Sequence, residues 1–165
     1  FEVVIQDVER LNLMAFQNQL DITKLSFHAF IHCSDKYILL DSGSAFGVNC
    51  GPILITQPKT EIHEKSKIGI PGKYTTANML LQFFCPHLQN KKEFLFSKIE
   101  NAILKKEIDA GVIIHENRFS YKEKGLKKIL DLGEAWQKET NLPIPLGGIF
   151  VKRNFPQEIA NRFVK

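Results

Sequence analysis

The amino-acid sequence predicts an α/β protein of two lobes built on mixed, mostly parallel sheets, and three observations lead there. With 165 residues, 44% of them hydrophobic, the chain is long enough for one domain or two small lobes, and it should bury roughly 70% of its unfolded surface. Short apolar runs alternate with helical periodicity along most of its length, the pattern of strands covered by helices. The stretch 56–67 is polar, contains Pro58 and lacks periodicity, which marks it as a crossing between lobes. The first lobe is therefore expected to span 1–55 and to be completed by 147–165, with 56–146 inserted as the second.

The elements follow in order. Residues 1–5 (FEVVI) read as a strand, and Asp7 as the N-cap of a helix carrying Val8, Leu11 and Ala15 on one face. Residues 21–25 form a second strand, after which Ser26 caps a helix bearing Phe27, Phe30 and Ile31. Two apolar runs, 37–40 and 52–55, flank a loop at 42–51 rich in Gly and Ser, where the backbone can approach a ligand or itself. Residues 68–70 are a strand, Pro71 and Gly72 a turn, and 75–84 a helix with Met79, Leu80, Phe83 and Phe84 as its buried stripe. Residues 94–96 are a further apolar run. The capping box Ser97-Lys98-Ile99-Glu100 then opens a helix through Ala102 and Ile103. Residues 109–114 are a buried strand ending at His115, 126–130 another strand, and 131–140 a helix around Trp136. Pro143 and Pro145 exclude a central strand at 142–146, and Pro156 opens a last helix.

The charge balance, 22 Lys and Arg against 18 Asp and Glu, gives +4, too small and too evenly spread to mark a nucleic-acid surface. No apolar stretch approaches the roughly 20 residues of a spanning helix, so a membrane protein is not expected. Cys33, Cys50 and Cys85 are odd in number and contain no CxxC pair, which disfavours disulfides and thiolate zinc sites and suits a reducing cytoplasm.

Three segments could do chemistry. His115 follows a doubly buried strand, at the carboxyl end where α/β sheets form ligand crevices. Its imidazole, ordinarily titrating near ~6.5, is either a general base or a histidine hydrogen-bonded at a strand end. Gly72 to Ala77 sets Thr75 and Thr76 at a helix start, where free N–H groups make either an anion seat or an ordinary cap. Lys24 and Ser26 offer a cation and a hydroxyl at another strand end, to be read as a ligand contact or as a solvated lysine beside a cap. His28 and His32 lie one turn apart, but no third ligand accompanies them, so no metal is expected. Lys122, Lys124, Lys127 and Lys128 read as a solvated face.

These residues also carry a resemblance. DVERLN at 7–12, DITKLSFHAF at 21–30, SGSAFGVNCGP at 42–52, PGKYTTA at 71–77, DAGVIIHENRFSY at 109–121 and LPIPLGGI at 142–149 occur in that order. Together they resemble the 1,4-dihydroxy-6-naphthoate synthases of the futalosine route to menaquinone. The resemblance implies a fold similar to type II periplasmic binding proteins, truncated here at both ends relative to the family, with the substrate enclosed between lobes. It implies a lyase that converts cyclic dehypoxanthinyl futalosine to 1,4-dihydroxy-6-naphthoate with no metal or organic cofactor. His115 is then the proton acceptor, and Lys24, Leu25, Ser26, Thr75, Thr76 and Ala77 contact a small carboxylate substrate. In that picture the N–H groups of Thr76 and Ala77 and the threonine hydroxyls seat the carboxylate. The rival readings are a chorismate dehydratase of the same pathway and a solute-binding protein of the same fold.

Overall fold

The computed structural model of the chain describes residues 2–48, 50–115 and 117–163. Its elements run α1 (Val8–Phe16), β1 (Ile22–Ser26), α2 (Phe27–Ile31), β2 (Tyr37–Leu39), β3 (Ala45–Gly47), β4 (Ile53–Thr56), β5 (Ile68–Ile70), α3 (Thr76–Phe84) and β6 (Lys91–Glu93). After these come α4 (Ile99–Leu104), β7 (Ala110–Ile113), α5 (Asn117–Ser120), β8 (Lys127–Asp131), α6 (Leu132–Thr140), β9 (Ile144–Lys152) and α7 (Gln157–Ala160). They group into two compact units. The first comprises residues 1–46, 74–76 and 145–165, the second 47–73 and 77–144. Strand β4 and the polar stretch that follows it thus group with the second unit.

In the first unit the long strand β9 lies between β1 and β2, antiparallel to both, with β3 also paired to it. Leu25, Tyr37 and Phe150 meet Ala15 and Cys33 in its core, flanked by Phe16, Phe27 and Phe30. A second cluster of Leu40, Val151 and Ala160 lies against Ile22, Ile38, Ile149 and Phe155. In the second unit the sheet order is β6-β5-β7-β4-β8. Ile53, Ile55 and Ile113 pack there against Ile99, Ala102 and Ile103 of α4, together with Ile108, Tyr121 and Leu126.

Several expectations are corrected. The sheets are mixed, but among the described pairings the parallel ones are β5 with β6 and β5 with β7, while β4 runs antiparallel to β7 and β8. A continuous apolar run reports burial on both faces and is silent about strand direction, so "mostly parallel" did not follow from it. Phe1 lies outside the described residues. Residues 2–5 form no strand, and Val3 and Ile5 stand 80% and 88% exposed. Pro145 does not break β9, because the paired register with β1 and β2 begins beyond it, at Gly147. The stripe of α3 is rotated: Ala77, Leu80 and Leu81 are buried and Phe83 is 62% exposed. The capping box at Ser97 is not made. Residues 96–98 wind as a 3-10 turn, and Glu100 instead receives Lys124 Nζ at 2.7 Å.

Candidate functional site

The segment Lys24-Leu25-Ser26 ends β1 in the first unit. Strand alternation splits it: Lys24 faces out, and Leu25 is fully buried in the core. Any ligand contact by Leu25 therefore runs through its main chain. Ser26 is 4% exposed and occupies the N-cap position of α2, yet its hydroxyl makes no cap bond, contrary to the expected capping role. Its main-chain N–H is taken, donating to Asn12 Oδ1 at 3.1 Å. Ser26 stands opposite Gly147 on β9, and a Cβ on Gly147 would lie 2.8 Å from the Leu25 carbonyl oxygen. Glycine is what allows the two strands to approach so closely here.

Tyr74, Thr75 and Thr76 belong to the same unit. The N–H of Tyr74 donates to the Glu9 carboxylate at 3.0 and 3.2 Å. The ring of Tyr74 meets Phe16 edge-on at 4.7 Å and His32 at 5.4 Å. His28 Nδ1 lies 3.2 Å from the Thr75 carbonyl, and because a carbonyl accepts, Nδ1 carries the proton. Burial pushes the His28 imidazole below its ordinary pKa. The bond to Thr75 opposes this, and the neighbouring His32 adds to it. Thr76 Oγ1 donates to the Leu146 carbonyl at 2.9 Å. That commits its proton to the main chain and leaves the hydroxyl an acceptor toward any ligand. A carboxylate seated at the head of α3 would thus be held by main-chain N–H groups, with no donation from the Thr76 hydroxyl. Thr75, Thr76 and Ala77 are each 3% exposed.

Ala77 and His115 belong to the second unit. His115 follows β7, is exposed, and takes a left-handed backbone with φ of 56°. That conformation is uncommon for a residue with a side chain. Phe96 meets its imidazole edge-on at 5.3 Å. The turn is anchored behind it: Arg118 N–H donates to the His115 carbonyl at 3.3 Å, and the Arg118 guanidinium reaches the Gly51 carbonyl at 2.8 Å and Asp131 at 3.2 Å. Asp131 also caps α6 by accepting from the N–H groups of Gly133 and Glu134. Of the groups that could orient His115, Glu116 lies outside the described residues.

The remaining features carry structure. Among the described residues no cluster of three or more His, Cys, Asp and Glu side chains could hold a metal ion, and no helix is long and apolar enough to cross a membrane. Cys33 and Cys85 are buried free thiols, and burial raises the pKa of both, which keeps them protonated and unreactive. In the lysine cluster, Lys124 pairs with Glu100, Lys127 donates to the Pro58 carbonyl and Lys128 pairs with Glu134. Sequence reasoning passed over Glu9, Asn12, Arg118 and Asp131. The available signal lay in α1, where a glutamate and an asparagine three apart share a helix face with Ala15.

A family model described as menaquinone biosynthesis matches residues 1–165. The chain is similar to the 1,4-dihydroxy-6-naphtoate synthase of Thermus thermophilus, 37% identical over 153 residues that cover 93% of this chain and 56% of that protein. The protein of the same name from Streptomyces coelicolor is 32% identical over 158 residues, again covering 93% and 56%. The chain therefore spans about half the length of the curated relatives it matches. A solved structure of an Archaeoglobus fulgidus protein superposes with a TM-score of 0.88 at 38% identity, over 98% of this chain and 61% of that one. The substrate binding protein of an amino acid ABC transporter superposes with a TM-score of 0.65 at 11% identity, over 99% and 71%. At that identity the likeness shows the fold alone: the two-lobed α/β architecture of type II binding proteins.

Proposed function

The chain belongs to the menaquinone biosynthesis family, and from that premise we propose that its protein is a lyase forming 1,4-dihydroxy-6-naphthoate from cyclic dehypoxanthinyl futalosine. Support comes from two relatives bearing the synthase name at 37% and 32% identity. The observation that carries the chemistry is the exposed imidazole of His115, set in a left-handed turn at the end of β7. A side chain on such a turn, fixed to a rigid strand, suits proton transfer to a bound molecule.

In this reading the neutral His115 imidazole removes a proton from the cyclic intermediate and starts the bond cleavage that aromatises the product ring. Lys24 neutralises negative charge on the substrate, and the Ser26 hydroxyl, which caps no helix, hydrogen-bonds its polyhydroxylated part. Main-chain N–H groups at Thr76 and Ala77 hold the carboxylate, and Leu25 and Thr75 shape the seat. No metal or organic cofactor takes part. In this reading the reaction takes place in the cytoplasm. The test incubates the full-length gene product with the cyclic intermediate, with and without a chelator. Naphthoate product in both arms is expected, and absence of product from folded protein would overturn the assignment.

A further inference from the structure

We propose that Glu9 and Asn12 are positioning residues that fix the Lys24 to Ser26 segment relative to the Tyr74 to Thr76 segment, so that both can serve one substrate. The inference rests on the function proposed above for those segments. Its physical basis lies within the first unit.

Helix α1 turns a polar edge inward. Glu9 is 6% exposed and Asn12 0%, on a helix of nine residues whose other fully buried side chain is Ala15. Burying such groups is unfavourable unless each polar atom is matched, so their presence calls for partners that leucine could not supply. Their partners include main-chain groups of the two segments. Asn12 Oδ1 accepts from Ser26 N–H at 3.1 Å, Asn12 Nδ2 donates to Glu9 Oε2 at 3.0 Å, and the Glu9 carboxylate accepts from Tyr74 N–H at 3.0 and 3.2 Å. A single chain of bonds thus runs from the end of β1 to the residue two places before α3.

The polarity of this chain is fixed. Ser26 and Tyr74 both donate, so the pair must present an acceptor at each end, with one internal donor between them. Glu at 9 and Asn at 12 satisfy that requirement, and so would Gln at 9 with Asp at 12. Either single exchange disturbs the chain: Glu9→Gln turns an amide NH2 onto either the Asn12 NH2 or the Tyr74 N–H, and Asn12→Asp sets two carboxylates about 3 Å apart.

The experiment uses the full-length protein and compares Glu9→Gln, Asn12→Asp and the double exchange for KM, kcat and hydrogen exchange at the Ser26 and Tyr74 amides. Each single exchange is expected to raise KM about tenfold or more and to speed exchange at both amides. The double exchange should return KM to within about threefold of wild type and restore protection. A merely structural role would leave KM unmoved in the folded single variants, and that result overturns the inference, as does a double variant no better than the singles. Should a single variant not fold, folding and near-normal KM of the double variant support the inference, and its failure to fold overturns it. Absence of turnover in wild type itself would mark failure of the proposed reaction; that outcome differs from failure of the pair, which shows in the variants while wild type turns over.

Discussion

The guanidinium of Arg118 donates to Asp131 at 3.2 Å, with the Asp131 side chain 2% exposed. Through this pair the turn that carries His115 is tied to the start of α6. Removing one partner leaves an uncompensated buried charge, and Asp131 also caps the helix. Asp131→Ala should therefore cost about 3–5 kcal/mol, seen as a lowered denaturation midpoint. Lys128 lies 4.0 Å from Asp131 but is 38% exposed, and Lys128→Ala should cost less than about 1 kcal/mol.

Gly51 and Gly133 approach so closely that a Cβ on Gly133 would lie 2.8 Å from Gly51 N, a main-chain atom that cannot turn aside. Gly133→Ala should destabilise by about 1–3 kcal/mol through overpacking. Gly125→Ala gains a Cβ that meets nothing within 4 Å, although its φ of 74° adds backbone strain. Thermal denaturation of the two variants separates contact from strain: the glycine at 133 fails by collision, that at 125 by conformation alone.

Stability should fall at both ends of the pH range. Burial lowers the His28 pKa, so its contribution is complete above about 6.5, the unfolded value, and is lost as pH falls through the folded value. Tyr37 is fully buried with its hydroxyl donating to the Leu20 carbonyl, and burial, foremost, pushes it up to about 12. Its contribution is complete below about 10 and is lost as pH rises toward 12. His28→Gln should flatten the acid limb of a midpoint-against-pH curve, and Tyr37→Phe the alkaline limb. Parallel curves for wild type and variants would contradict these assignments.

Much of this architecture is legible in the residues. Asp7 caps α1 with bonds to Glu9 and Arg10, Asp131 marks the start of α6, and the apolar run at 110–113 is a doubly buried strand. Those signals are local, a cap or a periodicity, and survive folding unchanged. Strand direction was not legible, because the side chains of β4 look the same whether β7 runs with it or against it. The stripe of α3 was misread because Phe83 and Leu81 are equally apolar, and their burial depends on what lies opposite. The position of His115 just beyond β7 was legible from the apolar run before it. The roles of Glu9 and Asn12 were not, since their partners are main-chain groups far along the sequence and no pattern in α1 names Ser26 or Tyr74.

The most direct measurement replaces His115 with Gln in the full-length protein and follows naphthoate formation from the cyclic intermediate. The side chain is exposed, so the fold should hold and the unfolding free energy should stay within about 0.5 kcal/mol of wild type. Turnover should fall on the order of a hundredfold or more, with substrate still bound. A folded His115→Gln protein that forms product at the wild-type rate would contradict the account.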